Sequence, residues 1–154
     1  TLDEESTPGK IRNTALGFLT GREFSRFELE AKLGKRYDNN EVIKVVLDKL
    51  IEDSLQCDYR YTGAFVRSRI LRGHGPARIR LDIAQKGIDS GLLFRVLKEE
   101  EVDWFALARE VAKKKFGNKR TEDKREISKR MRFLQYRGFD FDQIKYALSS
   151  STDH

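Results

Sequence analysis

Apolar residues recur along the chain at helical spacing, and the whole pattern recurs at a fixed interval. The pairs Tyr37-Asp38, Ile88-Asp89 and Phe139-Asp140 follow one another at a distance of 51 residues. Apolar residues stand four, seven and eight positions after each Asp: Val42, Val45 and Val46, then Leu93, Val96 and Leu97, then Ile144, Ala147 and Leu148. Because these offsets share one face of a helix, the pattern predicts a helix after each pair, with the Asp as its N-cap.

A glycine marks the end of the preceding helix in two of the three copies. Gly87 and Gly138 stand directly before the apolar residue of the pair, where helices commonly end with a left-handed residue. In the first copy Arg36 occupies this place and Gly34 stands two residues earlier, so we expect a looser turn there. Each copy is therefore predicted to run from a helix, through a stop and an Asp cap, into a second helix.

A further helix leads each copy. The candidates, whose apolar residues also recur at helical spacing, are Lys10–Gly21, Asp58–Arg72 and Val102–Gly117. The middle helices follow Ser25, the Gly75-Pro76 turn and Thr121. Ser and Thr are N-cap residues, and Pro suits the first helical position.

These patterns predict an all-α protein of about nine helices, built from three tandem three-helix repeats whose neighbours stack. The Val-rich stretch Val42–Leu47 could also form a strand, but its helical spacing and its Leu-rich copies favour a helix. We predict repeats at 10–57, 58–101 and 102–149, an acidic flexible N-terminal tail at 1–9 and a C-terminal tail at 150–154. The aromatic residues predicted to lie in the core are Phe18, Tyr37, Phe65, Phe105, Phe116, Phe133 and Phe139.

Positive charge rises toward the C-terminus. The 154-residue chain carries a net charge of +6, divided as −3 over Thr1–Gly9, +1 over Lys10–Cys57, +3 over Asp58–Glu101 and +5 over Val102–His154. A basic surface favours polyanions or acidic protein surfaces. No apolar run approaches the length of a membrane span. The single cysteine, Cys57, cannot form an internal disulfide, so we expect a cytoplasmic protein without membrane attachment.

The chain shows no pattern typical of a catalytic or cofactor site. Its two histidines, His74 and His154, lack partners at metal-ligand spacing, and no phosphate-binding glycine loop occurs. The segment Arg72-Gly73-His74-Gly75-Pro76 contains two glycines but is interpreted as a tight turn between helices. We therefore predict a protein that is not an enzyme and needs no cofactor or metal.

Basic residues gather in three segments, which are the candidate contact surfaces. The first is a central arginine cluster of Arg67, Arg69, Arg72, Arg78 and Arg80, and the second contains Lys113, Lys114, Lys119 and Arg120. The third is a helix face of Arg125, Lys129, Arg132 and Tyr136, opposite the apolar Ile127, Met131 and Leu134. Such segments could bind a nucleic-acid backbone or an acidic protein groove, or could simply keep the protein soluble. Because aromatic residues are few there, stacking on bases is not favoured.

Several segments of the sequence carry a family resemblance. They are Ser25 with Glu28-Leu29 and Lys32-Leu33, then Asp58-Tyr59-Arg60-Tyr61, Phe65-Val66-Arg67-Ser68-Arg69, Gly75-Pro76-Ala77-Arg78-Ile79, Lys86-Gly87-Ile88 and Phe133-Leu134-Gln135-Tyr136-Arg137-Gly138-Phe139. In their order and spacing, and over about Lys10 to Ser149, they resemble the RecX family of bacterial regulators of the recombinase RecA. Arg36, in place of the expected glycine, is a mild departure that concerns only the first turn.

The resemblance implies both a shape and a role. It implies three tandem three-helix repeats in an elongated, curved array without enzymatic activity. It also implies binding to RecA filaments on single-stranded DNA and inhibition of ATP hydrolysis, strand exchange and co-protease action by RecA. Such inhibition limits recombination and the SOS response. The family offers no catalytic residues to carry over, and we expect a monomer.

Two other functional classes stay open at this point. One is a nucleic-acid-binding helical module that acts directly on DNA or RNA, and the other is an inert helical scaffold with affinity for neither DNA nor RecA. Salt dependence does not separate a RecA regulator from a nucleic-acid module, because both associations are electrostatic. The useful distinction is whether the effect requires RecA.

Overall fold

The structure, a computed structural model, describes residues 7–149, which form nine α-helices and no strand. The helices are α1 Pro8–Gly21, α2 Arg26–Gly34, α3 Asn40–Glu52, α4 Asp58–Leu71, α5 Pro76–Ala84, α6 Ser90–Glu100, α7 Trp104–Phe116, α8 Lys124–Tyr136 and α9 Phe141–Ala147. The all-α prediction is confirmed. None of these nine helices is both long enough and apolar enough to cross a bilayer. Most of the two predicted tails, residues 1–6 and 150–154, lies outside the described residues.

Side chains cap several of the helices at their N-termini, and the caps predicted at Ser25, Asp89 and Asp140 are confirmed. Ser25 and Glu28 form a capping box at α2, and Asp140 forms one with Gln143 at α9. The cap of α8 was predicted wrongly, because Asp123 rather than Thr121 accepts from the first turn of that helix. The Thr121 hydroxyl instead accepts a hydrogen bond from the backbone N–H of Asp123 at 3.1 Å.

The register of α3 also differs from the prediction. Asn39 rather than Asp38 is its N-cap, since Asn39 Oδ1 accepts from the backbone N–H of Val42 at 3.2 Å. Counted from Asn39, the offsets of four, seven and eight fall on Ile43, Val46 and Leu47, all of which are buried. Val45, predicted to face the core, is 65% exposed. The first copy thus follows the same helical rule as the others, displaced by one residue.

The glycine stops adopt the predicted conformation. Gly87 and Gly138 have φ of +74° and +103°, values that favour glycine because a side chain there would be strained. At the end of α2 no left-handed residue occurs between Gly34 and Tyr37, and the Tyr37 N–H donates to the Leu33 carbonyl at 2.9 Å, as in a continuing helix. Arg36 is therefore accommodated by a turn of a different kind.

The described residues divide into two compact units, whose boundaries fall within α4, α5 and α6. Unit 1 contains the described residues of Thr1–Phe65 together with Ile83–Val96, and unit 2 contains Val66–Asp82 with the described residues of Leu97–His154. The core of unit 1 is built on Ile11, Ala15, Phe24, Leu29, Leu33, Tyr37, Ile43, Val46, Leu47 and Leu50. The core of unit 2 is built on Ala108, Val111, Ala112, Leu134, Phe139, Ile144 and Ala147. Phe105, predicted to be a core residue, is 41% exposed and packs edge-on against Tyr146.

Within unit 1, the start of α2 packs against the turn before α6. The Ser25 hydroxyl donates to the Lys86 carbonyl at 2.8 Å while its oxygen caps α2. Phe27 lies so close to the turn that a Cβ built on Gly87 would be 2.5 Å from the Cβ of Phe27. We call this contact the Ser25 junction.

Within unit 2, the start of α5 packs against the turn before α9. The N–H of Gly75 donates to the carbonyl of Arg137 at 2.7 Å, and the N–H of Ala77 donates to the carbonyl of Gly138 at 3.0 Å. A Cβ on Gly138 would lie 2.6 Å from the backbone N of Arg78. This contact, the Gly75 junction, gives the glycine-containing segment before α5 a structural role.

Candidate functional site

All twelve candidate residues belong to one of the two units. They divide between the Val66–Asp82 and Leu97–His154 segments of unit 2. By sequence, unit 2 has nineteen basic and twelve acidic residues, a net charge of +7, whereas unit 1 has twelve and thirteen, a net charge of −1. The net positive charge of the chain therefore resides in unit 2. Unit 2 is the part to which long-range electrostatics would draw a polyanion or an acidic protein.

The basic face of α8, formed by Arg125, Lys129 and Arg132, is set up by the amphipathic pattern of this helix. Leu134 on the opposite face is fully buried, with Met131 packed against the same core. The three cations are exposed, and no ion pair or side-chain hydrogen bond joins them to another of the described residues. The face is thus held by the packing of the helix while its charges remain available for a partner.

Acidic neighbours do not neutralise the basic face of α8. Asp123 and Glu126 border the same shallow depression as the three cations. Asp123 is occupied as the N-cap of α8. Glu126 accepts a hydrogen bond from Arg130 Nε at 2.9 Å. Both carboxylates therefore have hydrogen-bond partners within unit 2, and the outer surface of α8 remains predominantly cationic.

The C-terminal end of α8 brings two of the sequence segments together. Tyr136 is 74% exposed, and the guanidinium carbon of Arg78 lies 5.0 Å from its ring centroid. Arg78 Nη1 also donates to the Tyr136 carbonyl at 3.4 Å. The central arginine cluster and the basic face of α8 therefore touch at Tyr136. No local pattern in the sequence indicates this contact, because the two residues are 58 positions apart.

The central arginine cluster is partly neutralised by a carboxylate that the sequence analysis did not single out. Arg69 and Arg78 both pair with Asp82, the Arg78 Nε contact being 3.4 Å. Burial alone would raise the pKa of Asp82, but the hydrogen bonds and charges of Arg69 and Arg78 outweigh it and lower that pKa. Asp82 is the only acidic residue in the segment 66–82, so the sequence alone could have indicated it as the partner of the neighbouring arginines.

The five arginines of this cluster consequently differ in availability. Besides Arg69 and Arg78, Arg67 pairs with Glu100 at 2.9 Å. Arg72 and Arg80 are exposed, and no side-chain partner for either lies among the described residues. A contact surface in this region would draw first on these two side chains.

His74 lies among these arginines, and burial together with their positive charge favours its neutral form. Burial lowers its pKa, and the positive charges of Arg78, Arg69 and Arg137 lower the pKa further against the opposing effect of Asp82. Since the ordinary pKa of histidine is already below 7, the imidazole is uncharged at neutral pH. Across residues 7–149, no group of three or more His, Cys, Asp and Glu side chains is placed to hold a metal ion.

The lysine-rich segment spans a helix end and a loop. Lys113 and Lys114 lie in the last turn of α7, where cations complement the helix dipole. Lys119 and Arg120 follow Gly117 in the loop before α8, and all four side chains are exposed. Arg130, which the sequence analysis did not select, fixes this loop by donating from Nη1 to the Lys119 carbonyl at 2.8 Å.

Comparison with known proteins places this arrangement in a family. Residues 58–96 match the family model of the second three-helix domain of RecX, and residues 101–148 match that of the third. The regulatory protein RecX of Pseudomonas entomophila is 43% identical over 143 residues, which cover 93% of this chain and 92% of that protein. The regulatory protein RecX of Vibrio campbellii is 37% identical over 138 residues, or 90% and 89% of the two chains.

The fold agrees with this sequence similarity. The crystal structure of RecX from Lactobacillus salivarius superposes with a TM-score of 0.76 at 25% identity, covering 91% of this chain and 93% of that chain. A second RecX crystal structure gives a TM-score of 0.75. Sequence relatives and structural neighbours thus converge on one set of three-helix domains, and the chain belongs to the RecX family.

Proposed function

We propose that this protein binds RecA filaments on single-stranded DNA and inhibits ATP hydrolysis, strand exchange and co-protease action by RecA. In this role it limits recombination and the SOS response, and it acts in the cytoplasm as a monomer without catalysis or a cofactor. Membership of a family whose relatives are named regulatory proteins supports the proposal. The net positive charge of unit 2 supports it on physical grounds.

The observation that carries the proposal is the exposed basic face of α8. Arg125 and Arg132 are seven residues apart, so the face extends along about 10 Å of helix. Three cations in line over this distance suit a surface with repeated negative charge, such as a nucleoprotein filament. Arg125 and Arg132 can each form two parallel hydrogen bonds with a carboxylate or phosphate, which adds geometric selectivity to the attraction.

The test is DNA-dependent ATP hydrolysis by RecA on single-stranded DNA, with this protein titrated in. We expect inhibition by the natural chain below one protein per RecA monomer. Reversing charge in the triple variant Arg125→Glu, Lys129→Glu and Arg132→Glu should raise the concentration for half-inhibition by about tenfold or more. Circular dichroism should show unchanged helix content, because all three side chains are exposed.

A matched variant distinguishes an effect of the basic face of α8 from an effect of the net charge of the protein. Lys35, Lys44 and Lys98 are also exposed, and reversing all three changes the net charge by the same amount. This control should inhibit within about twofold of the natural chain if location rather than total charge decides. Equal inhibition by the α8 variant would remove that face as the contact surface. An absence of inhibition by the natural chain would overturn the proposed function itself.

A direct nucleic-acid-binding module is the second candidate. The exposed ring of Tyr136, next to Arg78 and at the end of the basic face of α8, favours it, because a base can stack on such a ring. Fluorescence anisotropy of a labelled oligo-dT strand, measured with and without RecA, distinguishes the two. Tight binding to the bare strand together with unaltered RecA activity would favour the module.

A further inference from the structure

Unit 2 contains a cleft that the proposed function does not use. The α7–α9 cleft has a volume of about 740 Å³ and lies between the end of α7, the loop 117–121, α8 and the end of α9. Its apolar lining consists of Ala112, Phe116, Ile127, Ala147 and Leu148. This volume is within the range of ligand sites in proteins and is sufficient for one or two large side chains.

The polar lining of the cleft is cationic. It consists of Arg109, Lys113, Lys119 and Arg120, with Arg130, beside the uncharged Gly117, Asn118, Thr121 and Ser149. No carboxylate is among the lining residues of this cleft. An apolar interior under a rim of one sign favours a ligand that combines an apolar group with negative charge, since both parts then find complementary surroundings.

Two of the cations are already fixed in position. Arg109 Nη2 donates to the Tyr146 carbonyl at 2.9 Å and to Ser149 Oγ at 3.0 Å, while its guanidinium lies over the Tyr146 ring. Arg130 is held by the Lys119 carbonyl and by Glu126. Because these side chains are ordered before any ligand arrives, binding them requires little further loss of side-chain entropy.

Arg109 also has a donor that unit 2 leaves unsatisfied. Its Nε is buried and has no hydrogen-bond partner among the described residues. Buried donors are nearly always paired, so this Nε adds a polar cost to the packing of Arg109 and is not a contact that a ligand in the cleft could reach. The other rim cations Lys113, Lys119 and Arg120 are exposed, and no ion pair engages them within residues 7–149.

The aromatic lining argues against a stacked base. The Phe116 ring already packs edge-on against Phe133 at 5.3 Å between centroids, and the Arg130 guanidinium carbon lies 5.1 Å from its centroid. The remaining apolar lining is aliphatic. An aliphatic or aromatic amino-acid side chain fits this surface better than a nucleobase, which would seek a free ring face.

We propose that the α7–α9 cleft binds an acidic peptide segment of a protein partner, with one or two apolar side chains seated inside and carboxylates on the cationic rim. The segment Ser150–His154 that follows the cleft in sequence contains no apolar side chain and a single carboxylate side chain, so it lacks this chemistry. The site goes beyond the proposed function and does not rest on it, because inhibition of RecA and peptide binding are measured separately.

The test uses a fluorescein-labelled hexapeptide, Asp-Glu-Phe-Leu-Glu-Asp, and fluorescence anisotropy with the full chain. We expect saturable binding that weakens at least about tenfold in the double variant Lys119→Glu and Arg120→Glu, because two rim charges are reversed. The double variant Lys35→Glu and Lys44→Glu alters net charge equally in unit 1 and should stay within about twofold. Equal weakening in both variants would reduce the effect to net charge and overturn the site.

The apolar anchor and the source of the ligand are tested with three more measurements. Replacing Phe and Leu of the probe by Ser should weaken binding by about tenfold, and unchanged binding would overturn the anchor. An oligo-dT strand is the second probe. If it displaces the peptide, and if the Lys119→Glu and Arg120→Glu variant no longer binds it, the cleft is a nucleic-acid site and the peptide proposal is overturned. A chain trimmed to residues 7–149 is the third probe. If it binds the peptide about tenfold more tightly than the full chain does, the removed ends compete for the cleft, and they rather than a protein partner are its ligand.

Discussion

In unit 1 the start of α2 meets the turn before α6 through side chains, whereas in unit 2 the start of α5 meets the turn before α9 through the backbone. The Ser25 junction uses one hydroxyl and one aromatic ring. The Gly75 junction uses two N–H to carbonyl hydrogen bonds, of 2.7 and 3.0 Å. Both contacts link the middle helix of one repeat to the glycine stop of the next repeat, about sixty residues later in each case.

The comparison shows why glycine occurs where it does. A side-chain contact can keep the two backbones apart, so only the turn that receives Phe27 needs a glycine, at Gly87. A backbone contact requires the absence of a Cβ on both partners, which explains the presence of Gly75 as well as Gly138. At the first turn Arg36 is exposed, so nothing there demands a glycine.

The largest expected effect is that of Gly138→Ala. A Cβ would lie 2.4 Å from Arg78 Cβ and 2.6 Å from Arg78 N, and the residue would be held at a φ of +103°. We expect a loss of about 3 kcal/mol in the free energy of unfolding, from strain plus overpacking. Gly87→Ala should cost about 1 kcal/mol less, because Phe27 is more than half exposed and can shift aside. Urea denaturation measures both values.

Gly117→Ala separates backbone strain from overpacking, the two causes of the loss expected for Gly138→Ala. Gly117 also has a positive φ, of +73°, but a Cβ on it would meet nothing within 4 Å. Its replacement should therefore cost only the conformational strain, about 1–2 kcal/mol, since a φ of +73° with a ψ of −160° is a conformation that few residues other than glycine adopt. A loss as large as that of Gly138→Ala would mean that backbone strain alone explains both losses. The close approach of Gly138 to Arg78 at the Gly75 junction would then contribute nothing to the effect of Gly138→Ala.

The Gly75→Ala variant is expected to have a smaller effect than Gly138→Ala and an effect similar to that of Gly87→Ala. A Cβ at this position would lie 2.5 Å from the carbonyl carbon and oxygen of Gly138, which are backbone atoms and cannot turn aside. The two hydrogen bonds of the Gly75 junction would then lengthen, and we expect a loss of about 2 kcal/mol in the free energy of unfolding. Gly17→Ala, in the open middle of α1, is the control and should be neutral or stabilising.

Features that depend on interactions between residues close together in the sequence were predicted correctly more often than features that depend on distant segments. Helix existence depends on local spacing and caps, so α4 was predicted to within one residue at its C-terminal end. The exposed basic face of α8 was found for the same reason, because the geometry of one helix decides which residues share a face. The error at Asn39 was also local, since the 51-residue interval of the pairs concealed one extra residue between turn and cap.

What the sequence could not reveal depends on contacts between distant segments. The approach of Arg78 to Tyr136 and the packing of Gly75 against Gly138 join segments about sixty residues apart, and no local pattern encodes them. The glycines before α5 were correctly interpreted as a turn, but the reason for two of them became visible only with the turn before α9 beside them. The repeat boundaries at 57/58 and 101/102 stay a prediction.

The smallest effect expected at the two junctions is that of Ser25→Ala, which removes a cap and a tertiary hydrogen bond together. The cap alone is worth about 1 kcal/mol, and leaving the Lys86 carbonyl without its donor adds about 0.5 kcal/mol. Asp103→Ala at the start of α7 is the matched control, because Asp103 caps Ala106 and makes no tertiary hydrogen bond within residues 7–149. If the two losses measured by urea denaturation are equal, the hydroxyl contributes only to α2, and the Ser25 junction depends on Phe27 and Gly87 alone.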